Sequence, residues 1–135
     1  MNWYIKKAQA FRSSQGIFHV HRENWITIDV DPELSRYYLS LFNRSRPMLE
    51  GQIMPGAWKG HISVVRGEDI KNSEILSDIN GKSVNFQYDH NIHWNGRHAY
   101  LSVECEEALD LREQLGLNRE PPLPLHLTVG VKKEL

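Results

Sequence analysis

Two stretches of the chain pass through the same order of elements, and this repetition limits the possible fold more than any bulk property does. Residues 24–30, Asn-Trp-Ile-Thr-Ile-Asp-Val, alternate and are β-branched, the pattern of a half-buried strand. Asp31, Pro32 and Glu33 follow as an N-cap, a first-turn proline and an acid, which predicts a helix to about Asn43. Its apolar spacing puts Leu34, Tyr37, Tyr38, Leu41 and Phe42 on one buried face. A loop over 44–60 carries Pro47, Gly51, Pro55 and Gly56, and residues 61–65 then read as a short apolar strand. The second pass is a strand over 98–104, a helix over 106–115 stopped by Gly116, a loop with Pro121, Pro122 and Pro124, and a strand over 125–131. Between the two, 83–89 reads as a strand and Asn95-Gly96 as a hairpin turn. The expected fold class is α+β, a duplicated unit with halves at about 24–66 and 98–131 in a single domain over 1–135. The halves share element order, not sequence identity.

With 135 residues, 40% of them apolar, the chain is long enough to bury one core. No apolar run approaches the roughly 18 residues that span a bilayer, and Met1 to Lys7 lack the apolar centre of a secretory signal. One cysteine, Cys105, forms no internal disulfide and sits where a strand passes into a helix, so a reducing, cytoplasmic setting is expected. A net charge of −1 argues against long nucleic acid as a partner, because counterion release supplies most of that affinity. A small nucleotide or one RNA end remains, held by a local basic cluster such as Arg44, Arg46 and Lys59.

The repeated unit closes each time on a histidine, an apolar residue and a hydroxyl: His61-Ile62-Ser63 and His126-Leu127-Thr128. In a strand, residues i and i+2 share a face, so each tripeptide presents an imidazole beside a hydroxyl while Ile62, Val64, Leu127 and Val129 turn to the core. Seven histidines and twelve Ser or Thr give about 0.6 such tripeptides by chance, so the two matches gain weight only from their shared context. Both open apolar strands after proline-bearing loops. Two imidazoles about a phosphodiester supply general base and general acid, and the hydroxyls donate to non-bridging oxygens as charge builds.

In these motifs, His-Ile-Ser-Val-Val and His-Leu-Thr-Val-Gly, the chain resembles the two-histidine (2H) phosphoesterases. The resemblance in element order covers nearly all of 24–131. It implies a bilobed α+β fold with a central cleft, no cofactor, and metal-independent action on 2′,3′-cyclic phosphates, RNA ends or related nucleotides. Carried onto this sequence, it implies acid–base roles for His61 and His126 and phosphate contacts from Ser63 and Thr128. The compact size is similar to that of small phage-encoded members, some of which degrade cyclic oligonucleotide signals of bacterial immunity. A cyclic oligonucleotide is therefore the first expected substrate and a 2′,3′-cyclic phosphate on RNA the second. A nucleotide-binding module without catalysis is the alternative of another class.

Trp58, Lys59 and Trp94 lie in or beside loops and are the expected base- and phosphate-contacting residues, with Tyr4 from an N-terminal stretch that shows no readable element. Tyr37 and Tyr38 read as helix packing. His19-Val20-His21 has the spacing of a two-ligand metal arm, with His90 and His93 as further donors. No cysteine pair or acid at ligand spacing accompanies them in sequence, so no metal is expected. Glu106, Glu107, Asp110 and Glu113 fall on a helix and read as its solvated face.

Overall fold

The computed structural model describes residues 11–45, 53–55 and 60–132. In chain order these form β1 (Phe11–Val20), β2 (Trp25–Val30), α1 (Pro32–Ser45), β3 (Ile53–Met54), β4 (His61–Arg66), a 3₁₀ turn (Ser73–Ile75), α2 (Leu76–Ile79), β5 (Ser83–Asp89), β6 (His93–Trp94), β7 (His98–Glu104), α3 (Glu106–Gln114) and β8 (His126–Lys132). The expected strands and both long helices stand within two residues of the ranges read from the sequence. Asp31 caps α1 through its carboxylate, which accepts from the Glu33 amide at 2.9 Å. Asn95 holds the β6–β7 turn, its side-chain oxygen accepting from the amides of Arg97 at 2.9 Å and His98 at 2.7 Å. Gly96 there has φ +95°, a region L side chains avoid. On α1 the buried face is Tyr38, Leu39 and Phe42, while Tyr37 points outward at 58% exposure.

The fold is mixed α+β, with a six-stranded antiparallel barrel in the order β8-β4-β2-β1-β5-β7 closed by β7 pairing β8. Two ladders join β1, β2 and β4 to β5, β7 and β8. One is the β1–β5 ladder of seven registered pairs, from Phe11 opposite Asp89 to Ile17 opposite Ser83. The other is a single pair, Ile62 of β4 opposite Leu127 of β8. The sequence reading of two lobes omits β1, and this strand converts separate sheets into one closed surface over one core. Gly16 permits the close approach of β1 to β2, since a Cβ there would lie 2.4 Å from the Ile28 side chain and 2.7 Å from the Asp29 carbonyl oxygen.

Every barrel strand turns an apolar row to that core, including Ile26 and Ile28, Ile62 and Val64, Val84 and Phe86, Leu101, and Leu127 and Val129. The helices add Tyr38, Leu39 and Phe42 from one side and Ala108, Leu111 and Leu115 from the other. Each fully buried Ile or Leu contributes roughly 1.5–3 kcal/mol, so alternation fixes which side of β4 and β8 faces solvent. The ladders flanking those strands carry matching irregularities. Ile26 pairs Val65 but Thr27 pairs Ser63, leaving Val64 as an extra residue in β4. Ala99 pairs Gly130 but Tyr100 pairs Thr128, leaving Val129 extra in β8. Both bulged residues stand three places after the histidine.

Buried Arg112 of α3 braces the first bulge, donating to the Val64 carbonyl at 2.9 Å and to both oxygens of Glu68 at 2.7 and 2.8 Å. The acids on α3 are not simply solvated, because Arg119 pairs with Glu106, with Asp110 at 2.6 Å and with Glu113 at 2.5 Å. Cys105 is buried at the β7–α3 junction, where burial pushes its thiol pKa up and leaves it a poor nucleophile. No helix among the described residues is long and apolar enough to cross a membrane.

Candidate functional site

The Ile62–Leu127 pair centres the two tripeptides on each other. In an antiparallel pair the neighbours of a registered couple also face each other, so His61 falls beside Thr128 and Ser63 beside His126. All four side chains leave the face of the sheet opposite Ile62 and Leu127, and Ser63 is buried there. His61 and His126 are then diagonal partners, about 7–8 Å apart by sheet geometry with their Cβ atoms somewhat closer, a spacing at which two imidazoles can flank one phosphate. The four residues line one cavity of about 580 Å³, within the range of small-molecule sites.

Flanking strands extend the site. Thr27 stands opposite Ser63 and Asp29 opposite His61 on β2, while Tyr100 stands opposite Thr128 and Ser102 opposite His126 on β7. Tyr100 meets the His126 ring edge-on at 5.6 Å and stacks on His93 at 5.4 Å, limiting both rings. Leu123, Pro124 and Leu125 form one wall, and Trp25, Arg66, Asn95 and His98 also line the cavity. Strict alternation from His61 assigns Val65 to this face and Arg66 to the core. The bulge at Val64 reverses that, burying Val65 and exposing Arg66 beside the histidines.

The surroundings of His126 fix its tautomer and its charge. Nδ1 of His126 lies 2.8 Å from the Pro124 carbonyl, which only accepts, so the proton is on Nδ1 and neutral His126 keeps its lone pair on Nε2. Burial lowers the His126 pKa below the ordinary 6.5, the Pro124 hydrogen bond opposes it, and the charges of Arg66, His98 and His61 act with burial. His126 is thus held neutral near pH 7.

The other residues singled out in the sequence divide. Trp94 packs against Phe42 of α1, ring centres 5.4 Å apart, and does not line this cavity. Trp58, Lys59, Tyr4 and Arg46 lie outside the described residues, and Arg44 ends α1 away from the cavity lining. Trp25, Arg66, Tyr100 and Ser102 enter the site unannounced by any motif. His19 and His21 do acquire an acid: Asp29, on the neighbouring strand, accepts from Nδ1 of His19 at 2.9 Å. Compared with protein-family models, curated proteins and solved structures, the chain matches none of them.

Proposed function

We propose that this protein is a metal-independent phosphodiesterase of the two-histidine type, cleaving nucleotide phosphodiesters, with cyclic oligonucleotides as first substrate. The observation that carries this reading is the Ile62–Leu127 register, which brings both histidine–hydroxyl pairs to one face of one cavity. The matching β2–β4 and β7–β8 bulges further support reading the halves as a duplicated unit. With β1 and β5 each paired to the strand that follows in its half, that unit grows to about 11–66 and 83–132. The lowered pKa and free Nε2 lone pair of His126 suit it for the base and leave the acid role to His61.

For a cyclic oligonucleotide, His126 takes the proton of a ribose 2′-hydroxyl as its oxygen attacks the adjacent phosphorus. The bond to the 5′ oxygen breaks, and protonated His61 delivers a proton to it. Ser63 and Thr128 donate to the non-bridging oxygens, and Arg66 offsets their charge. With a 2′,3′-cyclic phosphate, water replaces the hydroxyl as nucleophile. Two imidazoles account for both proton transfers, so no step requires a metal.

The test is turnover, with catalytic amounts of protein and excess labelled cyclic di- and trinucleotides and an RNA 2′,3′-cyclic phosphate, all in chelator. Multiple turnovers are expected. Retention of one unchanged ligand per chain would instead identify a binding module, and activity lost in chelator but restored by a divalent ion would overturn the mechanism.

A pH prediction follows from the base. Its neutral form is the active one and its pKa is lowered, so kcat/KM should hold as pH falls to 6.5 and decline only below it. Because Arg66 helps lower that pKa, Arg66→Gln should move the acid limb upward, besides weakening turnover. Titration of the His126 ring by NMR checks the same shift without turnover. A His126 pKa at or above 6.5 would exclude this assignment of the base.

A further inference from the structure

His19, His21 and Asp29 occupy a second cavity, of about 550 Å³, on the same barrel face. His19 and His21 project from one side of β1, and β2 places Thr27 opposite His19 and Asp29 two residues on. The imidazole centres are 3.9 Å apart. A ligand atom from each of the three residues lies within 4.8 Å of the other two.

We propose that His19, His21 and Asp29 form a binding site for a divalent first-row transition metal such as Zn²⁺, in a cavity that adjoins the phosphodiester site and shares His61 with it. Two imidazoles and one carboxylate are a donor set these ions favour. Metal–nitrogen and metal–oxygen bonds of about 2.0–2.2 Å put ligand atoms of a tetrahedral site about 3.4 Å apart. The His19–Asp29 spacing of 2.9 Å is already below that, and half-exposed side chains close the remaining gap by small rotations.

The carboxylate has an orienting partner. Buried Thr27 donates to Oδ1 of Asp29 at 2.9 Å and accepts from Nε2 of His21 at 2.9 Å, while Nδ1 of His19 donates to Oδ2. A metal at Oδ2 takes the place of the His19 proton and leaves the Thr27 hydrogen bond in place, the outer support that ligating carboxylates use. The three residues come from two adjacent strands of a closed barrel, a rigid support, and the cavity leaves room for water to complete coordination.

The experiment is titration of Zn²⁺ into the full chain after chelator stripping, in competition with a chromophoric chelator. One ion per chain is expected, with His19→Ala, His21→Ala and Asp29→Asn each weakening binding at least tenfold and His93→Ala leaving it unchanged. Imidazole NMR signals of His19 and His21 should shift at one equivalent in the unmodified protein, a readout that needs no variant. Absence of stoichiometric binding, or binding insensitive to all three substitutions, would overturn the proposal. None of these measurements involves turnover, so their outcome is separate from that of the phosphodiesterase reading.

Discussion

Replacing either His61 or His126 with alanine is expected to reduce turnover by about 10²- to 10⁴-fold while the protein stays folded. In the proposed mechanism each supplies one of two proton transfers at the same phosphorus, so losing either stalls the step. The double substitution should be little worse than the more damaging single one, because the pair acts as a unit. Ser63→Ala and Thr128→Ala each remove one donor to the phosphate oxygens, a smaller loss of roughly 10²-fold. Folding should survive because these side chains line the cavity, while Ile62, Val64, Leu127 and Val129 hold the core on the other face. The checks are single-turnover rates with excess enzyme and a thermal melt of each variant. Near-full activity in a folded His61→Ala protein would rule out the paired-histidine mechanism.

The largest stability effect is expected at Arg112. Its side chain is 1% exposed, and it donates from Nε to the Asn118 carbonyl at 2.8 Å, to the Val64 carbonyl, and in a two-pronged pair to Glu68. Arg112→Met keeps much of the volume but leaves the Val64 carbonyl without this donor and Glu68 without its counter-ion. Breaking one side of a fully buried pair typically costs about 3–5 kcal/mol, and because Glu68 is 25% exposed and can take up water the loss should fall at or below the lower end. Urea unfolding with an unchanged m-value should show this loss, and Arg112→Lys should recover only part of it, lacking the planar fork. In Arg112→Met/Glu68→Gln the stranded charge is gone, so the double variant should lose less than the two single losses added together. A loss below about 1 kcal/mol for Arg112→Met would mean that the pair contributes little.

The same pair predicts acid sensitivity. The Arg112 hydrogen bonds lower the Glu68 pKa below the ordinary 4.5, burial partly opposes them, and the Arg112 charge and the Arg66 amide add to the lowering. A carboxylate with a depressed folded pKa stabilises the fold above its unfolded value, and that contribution is lost as pH falls through the folded one. Stability should therefore drop below pH 4.5, less steeply in the Arg112→Met protein. Because Val64 is the bulged residue that turns Arg66 toward the cavity, loosening Arg112 should also blunt turnover well before the protein unfolds.

Local chemistry made much of this legible from sequence. Period-two alternation in 83–89 and 98–104, the Asp31-Pro32 helix start, the Asn95-Gly96 turn and Gly116 as a helix stop are determined within a few residues of chain, and the structure follows them. The pairing of each histidine with a hydroxyl on one face also follows from strand geometry alone. Tertiary structure decided the rest. Strand β1 breaks its apolar alternation with Ser13, Ser14 and Gln15, and it exists because β2 and β5 satisfy its backbone on both edges. Its ladder with β5 closes a barrel where local pattern alone suggests two lobes. Arg66 reaches the cavity through a bulge that inverts alternation, and the tautomer of His126 is set by the Pro124 carbonyl. Asp29 becomes the acid beside His19 only through β1–β2 pairing, ten residues along the chain. Each depends on which strands meet and in what register, a choice made by the burial of all the apolar rows together and carried by no single stretch of sequence.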